Sequence, residues 1–359
     1  MSADTDTQVE LRSDTFTLPT PEMTAAMADT ELGDDVYGED PAVAALEAQA
    51  AATVGKDAAV LMPSGTMANL TALLTHVPRG GSALVGDESD IYLYEARGAS
   101  VLGGIAYQPV PTRPDGTLTL ADLADAFPEE DDDPQFVPPR LVCLETTHNR
   151  CGGEPLALEY LADVRQFTAD HALALHLDGA RLFNAAVSLD TDPAEICRHV
   201  DSVQFCLSKG LGAPIGSILA GDAGFVERAR RWRKMLGGGM RQAGIVAAPG
   251  IVALKEHHRL AEDHANARTL AAQLARIPGL ELLTAPPRSN ILLFRIAPEL
   301  FTPAAFVAAA YEHGVNLGEF GHGRIRAVIH RGVSPDDITR TADIVAALLD
   351  SRRTQGANA

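Results

Sequence analysis

The run Ala174-Leu-His-Leu-Asp-Gly-Ala-Arg181 has the composition of a buried strand that turns polar at its carboxyl end. A second run of this kind, Val203-Gln-Phe-Cys-Leu-Ser-Lys-Gly210, lies further along the chain. Four more short apolar runs surround these two: Ala58–Leu61, Ala83–Val85, Leu141–Leu144 and Ser217–Ala220. Helical stretches alternate with the runs, among them Met67–Thr75, Leu158–Asp170 and Asp192–His199. This alternation predicts an α/β fold with a mostly parallel sheet, whose sites lie at the carboxyl ends of the strands.

The pattern changes near Gly250, where a smaller α+β domain is expected to begin. A long amphipathic helix, Ile251–Ile277, precedes short strands near Asn290–Ile296 and Arg324–Ile329 and a last helix, Asp336–Ser351. We therefore expect an N-terminal arm (residues 1–20), a large domain (21–250) and a small C-terminal domain (251–359). The acidic stretch Pro128–Pro139 is interpreted as a surface loop without a function.

The composition excludes several classes of protein. With 359 residues, 46% of them hydrophobic, the chain is long enough to bury a large core. Its net charge of −19 argues against binding to nucleic acid or to a membrane surface. No apolar run has the length of a membrane span and the N-terminus is polar and acidic, so we expect a cytoplasmic protein. Its four cysteines lack metal-ligand spacing, and we expect no metal site and no disulfide framework.

Asp178 is the first residue that indicates chemistry. A carboxylate at the end of a buried strand is costly unless a cation or a strong donor faces it. The protonated pyridine nitrogen of pyridoxal 5'-phosphate (PLP) is such a partner. An aspartate that holds this proton keeps the ring an electron sink, which stabilises a carbanion at the α-carbon of an amino acid. The alternative is an ordinary aspartate that caps the next helix.

Lys209 is the second such residue. The chain has four lysines, and the other three, Lys56, Lys234 and Lys255, stand in sequence surroundings typical of the solvated surface. An amine at a buried strand end is favoured in its uncharged form and can make a Schiff base at neutral pH. The alternative, a lysine whose ammonium extends to solvent, fits poorly beside Gly210 and Gly212.

Groups for a phosphate and for a substrate carboxylate complete the expected site. The segment Pro63-Ser-Gly-Thr-Met-Ala-Asn69 follows a strand and opens a helix, so that Ser64, Gly65 and Thr66 predict a phosphate cradle. An ordinary helix cap is the alternative for such a sequence. Arg181 and Arg326 are candidates for the carboxylate, because a guanidinium binds it in a bidentate manner. In an arginine-rich chain, either one alone would more often be a surface residue.

Seven motifs between Leu11 and Ser334 resemble those of the low-specificity L-threonine aldolases, which are PLP enzymes of the aspartate-aminotransferase fold type I. The motifs are Leu-Arg-Ser-Asp-Thr (11–15), Gly-Asp-Asp-Val-Tyr-Gly-Glu-Asp-Pro (33–41), Pro-Ser-Gly-Thr-Met (63–67), Glu-Thr-Thr-His-Asn-Arg (145–150), Asp-Gly-Ala-Arg (178–181), Leu-Ser-Lys-Gly-Leu (207–211) and Gly-Gly-Gly-Met-Arg-Gln (237–242). The resemblance implies a large domain with a mostly parallel, seven-stranded sheet and a homotetramer with active sites at subunit interfaces.

The resemblance also implies roles for individual residues. Lys209 would form the Schiff base and Asp178 would contact the pyridine nitrogen. The remaining cofactor contacts would come from Ser64, Gly65, Thr66, Arg181, Ser208 and Arg241, the last of these reaching the cofactor of a neighbouring subunit. The substrate carboxylate would be held by Ser13, Arg181 and Arg326, and His148 would lie near the β-hydroxyl group.

The chain departs from the family pattern at Asp90, where similar sequences carry a histidine that stacks on the PLP ring. The first hypothesis remains a lyase that cleaves β-hydroxy-α-amino acids, such as L-threonine and L-allo-threonine, to glycine and an aldehyde. Asp90 favours a second hypothesis, in which the same fold catalyses β-elimination, racemisation or transaldol transfer. A third is a PLP-binding protein without turnover. Products formed from a panel of amino acids distinguish the three.

Overall fold

The computed structural model describes residues 8–128 and 135–357, which form two compact units. The larger unit is Pro19–His258, and the smaller one joins the described part of Met1–Leu18 to Arg259–Ala359. The domain boundaries expected at residues 20 and 250 stay a prediction. Residues 129–134, the acidic half of the stretch expected to be a surface loop, lie outside the described residues.

The helices and strands of the described residues are as follows. The strands are β1 (Val9–Glu10), β2 (Ala58–Met62), β3 (Ser82–Gly86), β4 (Ala106–Val110), β5 (Pro139–Glu145), β6 (Ala174–Asp178), β7 (Ser202–Cys206), β8 (Ser217–Gly221), β9 (Leu280–Leu282), β10 (Ile291–Ile296), β11 (Val315–Asn316), β12 (Gly318–Glu319) and β13 (Ile325–Val328). The helices are α1 (Pro21–Asp29), α2 (Pro41–Val54), α3 (Gly65–His76), α4 (Asp90–Leu93), α5 (Leu120–Asp125), α6 (Leu158–Asp170), α7 (Leu182–Leu189), α8 (Pro193–Cys197), α9 (Ala223–Met235), α10 (Gly244–Lys255), α11 (Leu260–Leu274), α12 (Pro303–Glu312) and α13 (Pro335–Ala357).

The larger unit is built on a seven-stranded sheet with the order β2-β8-β7-β6-β5-β3-β4. All neighbouring strands are parallel except that β8 runs antiparallel to both β2 and β7. The carboxyl ends of β2, β3, β5, β6 and β7 therefore meet at one edge of the sheet. The predicted α/β fold with a mostly parallel sheet is confirmed.

Local sequence explains where the helices near this edge begin and how they pack. Ser64 caps α3, because its hydroxyl accepts a hydrogen bond from the backbone N–H of Met67 at 3.2 Å. The apolar side of α3 then packs with α9 against β2 and β8, through a buried cluster that includes Ala68, Ala72 and Phe225. This packing fixes the start of α3 at the sheet edge.

The smaller unit contains a four-stranded antiparallel sheet, β12-β13-β10-β9, and a separate parallel pair formed by β1 and β11. Alternate residues of β10 and β13, such as Leu292, Phe294 and Ile325, are buried in one core with residues of α11, α12 and α13. The expected α+β composition of this region is therefore observed.

The single helix predicted for Ile251–Ile277 is wrong. Helix α10 ends at Lys255 and α11 begins at Leu260, with a short 3-10 turn between them. The imidazole Nδ1 of His257 donates to the carbonyl of Leu254 at 2.8 Å, which satisfies one of the last carbonyls of α10. The amphipathic pattern continued across the break because α10 buries residues in the larger unit and α11 in the core of the smaller one. Among the described residues, no helix is long and apolar enough to cross a membrane.

Candidate active site

Lys209 and Asp178 lie at the ends of neighbouring strands and line one cavity of about 320 Å³. Asp178 is the last residue of β6 and is paired in parallel register with Gln204 of β7. Lys209 follows the end of β7 by three residues. Because parallel strands end at the same sheet edge, these two distant segments bring an amine and a carboxylate to one place. The volume is in the range of small-molecule sites.

Among the described residues that line the cavity, Lys209 is the only lysine. One expectation about the other lysines is wrong, because Lys56 is half-buried rather than solvated. Its ammonium donates to the carbonyl of Val200, and burial lowers the pKa of Lys56. Lys56 thus has a structural partner, which the turn sequence around it did not indicate.

Asp178 is held by three N–H donors and is 2% exposed. Its Oδ2 accepts from Asn69 Nδ2 at 2.8 Å, while its Oδ1 accepts from Gln204 Nε2 and, at 3.0 Å, from the backbone N–H of Ala180. Burial raises the pKa of Asp178, and the Asp90 carboxylate raises it further. A carboxylate oxygen can accept two hydrogen bonds, so Oδ2 retains capacity for one more donor.

The amino end of α3 also lines the cavity, through Ser64, Gly65 and Thr66. The first N–H groups of a helix have no partner within the helix and attract an anion. Ser64 also caps α3. The alternative interpretation of this segment as an ordinary helix cap is therefore correct for the Ser64 side chain. A Cβ atom on Gly65 would lie 2.9 Å from Cys206 Sγ, which leaves no room for a larger residue.

Asp90, the residue that departs from the family pattern, begins α4 and lines the same cavity. Its two carboxylate oxygens accept from Asn149 Nδ2 at 3.1 and 3.2 Å, and its backbone N–H donates to Glu145 Oε2 at 2.8 Å. Glu145 is buried, and its pKa is raised by burial and by the nearby Asp90 and Asp178. Asp90 is therefore anchored in the cavity by the segment that follows β5.

His148 is 2% exposed and is not among the residues that line the cavity. Its Nδ1 lies 3.9 Å from Glu145 Oε1, and no described residue offers this atom a hydrogen bond. Burial lowers the pKa of His148 to about 4, so the imidazole is neutral. Its expected place near the β-hydroxyl group of a substrate stays a prediction.

Three further site residues were expected in the larger unit, namely Ser208, Arg181 and Arg241, and they differ in their position relative to the cavity. Ser208 lines the cavity. Arg181 is 5% exposed and precedes α7, and its neighbour Ala180 lines the cavity instead. Arg241 is exposed and forms an ion pair with Asp34, with 2.9 Å between NH1 and Oδ2. The structure thus brings Ser208 to Lys209 and Asp178 but gives Arg241 a partner elsewhere in this chain.

Ser13 and Arg326 belong to the smaller unit. The hydroxyl of Ser13 accepts from the backbone N–H of Thr15 at 3.2 Å. Arg326, on β13, donates from NH2 to the carbonyl of Arg12 at 2.9 Å and stacks over Phe320 at 4.4 Å. Ser13 and Arg326 therefore lie near each other within the smaller unit. Their role in binding a substrate stays a prediction.

Three polar residues of the site were not found by reasoning from the sequence. Asn69 and Gln204 both donate to Asp178, and Glu95 lines the cavity and accepts from Asn69 Nδ2 at 2.9 Å. Burial raises the pKa of Glu95 well above its usual value, and Asp178 raises it further. Gln204 had a visible signal, since it is a polar side chain inside an apolar strand. Asn69 and Glu95 resemble ordinary helix residues until the fold places them near Asp178.

The described residues fit PLP on three counts. Lys209 supplies an amine, Asp178 has acceptor capacity left for a ring N–H, and α3 presents its amino end to the same cavity. A phosphate, a pyridine ring and an aldehyde carbon each need one of these groups. The cavity therefore suits the cofactor that the sequence predicts.

The sequence model of the beta-eliminating lyase family matches residues 10–297. The chain is 44% identical to the low specificity L-threonine aldolase of Escherichia coli strain K12, over 93% of this chain and 97% of that one. It is 42% identical to the probable low-specificity L-threonine aldolase 2 of Arabidopsis thaliana, over 92% and 94%. Among solved structures, the threonine aldolase of Leishmania major has a TM-score of 0.80 at 23% identity, over 95% and 99%. The chain therefore belongs to the beta-eliminating lyase family and, within it, to the low-specificity L-threonine aldolases.

Proposed function

We propose that this protein is a PLP-dependent carbon–carbon lyase. It cleaves L-threonine, L-allo-threonine or related β-hydroxy-α-amino acids to glycine and an aldehyde. The observation that carries the proposal is the shared cavity of Lys209, Asp178 and the amino end of α3. Relatives of similar length that are called low specificity L-threonine aldolases support the reaction class.

Residues of this chain are assigned to binding PLP and to binding the substrate. Lys209 would attach the cofactor, Asp178 would hold a proton at its ring nitrogen, and Ser64, Gly65, Thr66 and Ser208 would bind its phosphate. Arg181 and Arg241 complete this proposed set, and Ser13, Arg181 and Arg326 are proposed to hold the substrate carboxylate. When bound, PLP supplies an electron sink for the electron pair left at the α-carbon.

Cleavage of the Cα–Cβ bond requires a proton to leave the β-hydroxyl oxygen as the aldehyde carbonyl forms. His148 is proposed as the base because its imidazole is neutral, since burial lowers its pKa to about 4. Asp90 lines the cavity and is connected to the same segment through Asn149 and Glu145. Its carboxylate is therefore proposed to influence which bond breaks, since it carries charge where an imidazole would stack.

The experiment that tests the function is product analysis. Purified protein loaded with PLP is given L-threonine and L-allo-threonine, aldehyde is followed with alcohol dehydrogenase and NADH, and glycine is measured by mass spectrometry. We expect equal amounts of glycine and acetaldehyde, and none from the Lys209→Ala variant. Absence of aldehyde from every β-hydroxy amino acid tested would contradict the proposal.

The position of Asp90 in the cavity favours one alternative function, in which the same site catalyses β-elimination, racemisation or transaldol transfer. The three reactions leave different products from the same amino acids. A 2-oxo acid with ammonia indicates elimination, the opposite enantiomer indicates racemisation, and a new β-hydroxy amino acid from an added aldehyde indicates transfer. Binding of PLP with no product of any kind indicates a binding protein without turnover.

We also propose that the protein is a homo-oligomer, a dimer of dimers, in the cytoplasm. Several large apolar side chains of the larger unit are exposed, including Leu32 at 50%, Tyr37 at 75% and Met235 at 72%. Exposed apolar side chains mark a protein interface where they form one contiguous patch, and we propose that these belong to such a patch. Light scattering after size-exclusion chromatography measures the mass, and a monomer would contradict this part of the proposal. The cytoplasmic location is supported by four free cysteines.

A further inference from the structure

A row of hydrogen-bonded polar side chains leads from Asp178 into the space between α3 and the sheet. Asn69 contacts Asp178 through Nδ2 and, through Oδ1, lies 3.0 Å from His176 Nε2. His176 Nδ1 is 2.8 Å from Ser202 Oγ, which is 2.7 Å from His76 Nε2. His176 and Ser202 are fully buried, and the proposed mechanism gives neither a role.

The spacing of these residues in the sequence places them on one face. His176 and Asp178 are two residues apart on β6, so their side chains point to the same side of the sheet. Ser202 stands opposite His176 in the register of β6 and β7. Asn69 and His76 are seven residues apart on α3, so that both lie on the side of the helix that covers this face.

The hydrogen bonds of Asn69 fix the orientation of its amide. Both hydrogens of Nδ2 are used, one by Asp178 Oδ2 at 2.8 Å and one by Glu95 Oε1 at 2.9 Å. The amide oxygen must then accept, so His176 carries its proton on Nε2. If the amide were rotated by half a turn, Asn69 Oδ1 would face the oxygens of two acidic side chains.

The hydrogen bonds in the rest of the row run in the same direction, so that each side chain donates toward Asp178. Since the proton of His176 is on Nε2, its Nδ1 accepts from the hydroxyl of Ser202, and Ser202 Oγ accepts from Nε2 of His76. This order requires a neutral imidazole at His176, and a neutral His76 with its proton on Nε2 is compatible with it. Burial lowers the pKa of His176 to about 3 and that of His76 to about 4, which agrees with the order.

We propose that His176 is a positioning residue for Asp178 and acts through Asn69. Because His176 Nε2 carries a proton, it can donate to Asn69 Oδ1 but cannot accept from the Asn69 N–H. His176 therefore keeps the N–H side of the Asn69 amide toward the Asp178 carboxylate. That donor stabilises the charged form of Asp178, the form that holds a proton at the pyridine nitrogen of PLP. The inference rests on the proposed function, because it needs Asp178 to contact the cofactor.

Two substitutions of His176 separate this role from simple packing. In His176→Gln the side-chain amide reaches as far as Nε2 and keeps a donor for Asn69. In His176→Asn the amide reaches only as far as Nδ1, so the contact with Ser202 is kept and the contact with Asn69 is lost. His264→Gln is the matched control, since His264 is equally buried but belongs to the smaller unit.

The readouts are the affinity for PLP, the visible absorbance band of bound PLP, the melting temperature, and kcat and KM with L-threonine. For His176→Asn we expect kcat and PLP affinity to fall about tenfold, the loss of one hydrogen bond to a charged network, with KM nearly unchanged. The absorbance band of this variant should also change. His176→Gln should stay near the parent in all of these, and His264→Gln should keep the parent absorbance band.

The inference is overturned if both His176 variants lose activity equally and in step with the melting temperature, or if His176→Asn keeps the parent absorbance and kcat. PLP affinity and absorbance are measured without substrate, so these comparisons remain valid if the parent releases no aldehyde and the proposed reaction alone fails. A parent that binds no PLP would overturn both the inference and the proposed function.

Discussion

Lys209 is the residue on which the proposed chemistry depends most directly. It lines the cavity and is half-buried, whereas Leu207, two residues before it, is fully buried. Its side chain therefore serves the cavity more than the packing. Lys255, an exposed lysine near the end of α10, offers a matched control.

We predict that Lys209→Ala abolishes both activity and the covalent attachment of PLP while the melting temperature stays near that of the parent. Borohydride reduction followed by peptide mass spectrometry measures the attachment. Lys255→Ala should keep the reduced cofactor on Lys209. Reducible PLP found on another lysine of the Lys209→Ala variant would show that the wrong lysine was chosen.

Asp90 is the residue proposed to influence the outcome of the reaction. We predict that Asp90→His increases aldehyde release relative to elimination or racemisation, because an imidazole restores the flat contact expected over the ring. Asp90→Asn removes the charge but keeps an oxygen for Asn149, so it should change the rate or the product ratio with little change in melting temperature. Product analysis across the amino-acid panel measures both effects. Parent-like rates and products in both variants would exclude Asp90 from reaction choice.

At the scale of elements, α3 has two duties, since its first turn faces the cavity and Asn69 reaches Asp178. We predict that Gly65→Ala weakens PLP binding, because the new Cβ would lie 2.9 Å from Cys206 Sγ and displace the start of the helix. Overpacking of this kind costs about 1–3 kcal/mol. Titration of the apo-protein with PLP measures the affinity.

Cys206→Ala is the control for this clash, because it removes the sulfur that the new methyl group would meet. The double variant Gly65→Ala, Cys206→Ala should recover much of the affinity lost in Gly65→Ala. If the double variant binds PLP as weakly as Gly65→Ala alone, the displacement of α3 by Cys206 is not the cause.

Much of the sheet could be predicted from the sequence, because each strand is a continuous apolar run with a turn after it. The runs that end at Asp178 and before Lys209 became β6 and β7, and parallel strands necessarily bring such ends together. The break at Glu256 could not be predicted, since the helical pattern continues on both sides of it and the cause is a change of core. Asn69 was also missed, because its role depends on a contact 109 residues away.

At the scale of the whole molecule, an acidic chain must bind an anionic substrate through a few local cations. The net charge of −19 gives no general attraction for a carboxylate. Arg326, from the smaller unit, was chosen from the sequence as one such cation, and its hydrogen bond to Arg12 holds it in a defined position.

We predict that Arg326→Ala raises KM for L-threonine about tenfold or more, the loss of one charge-assisted pair, while PLP affinity changes little. Arg181→Ala should also raise KM. Steady-state kinetics and PLP titration measure the two quantities separately. Arg340→Ala, on the exposed side of α13, is the control and should leave both unchanged. Normal KM values in the Arg181 and Arg326 variants would remove both residues from the substrate site.

The two contacts that α3 makes with the cavity also bear on how quickly PLP can be exchanged. The start of the helix and Asn69 are one turn apart, roughly 6 Å along a rigid rod. A ligand whose phosphate lies at the start of α3, and whose ring nitrogen faces the Asp178 that Asn69 supports, is affected at both places when the helix moves. Once the bond to Lys209 has opened, release of PLP should therefore depend on the packing of α3 against the sheet. The half-time for transfer of PLP to an excess of a foreign apo-enzyme should accordingly shorten in any variant that loosens α3.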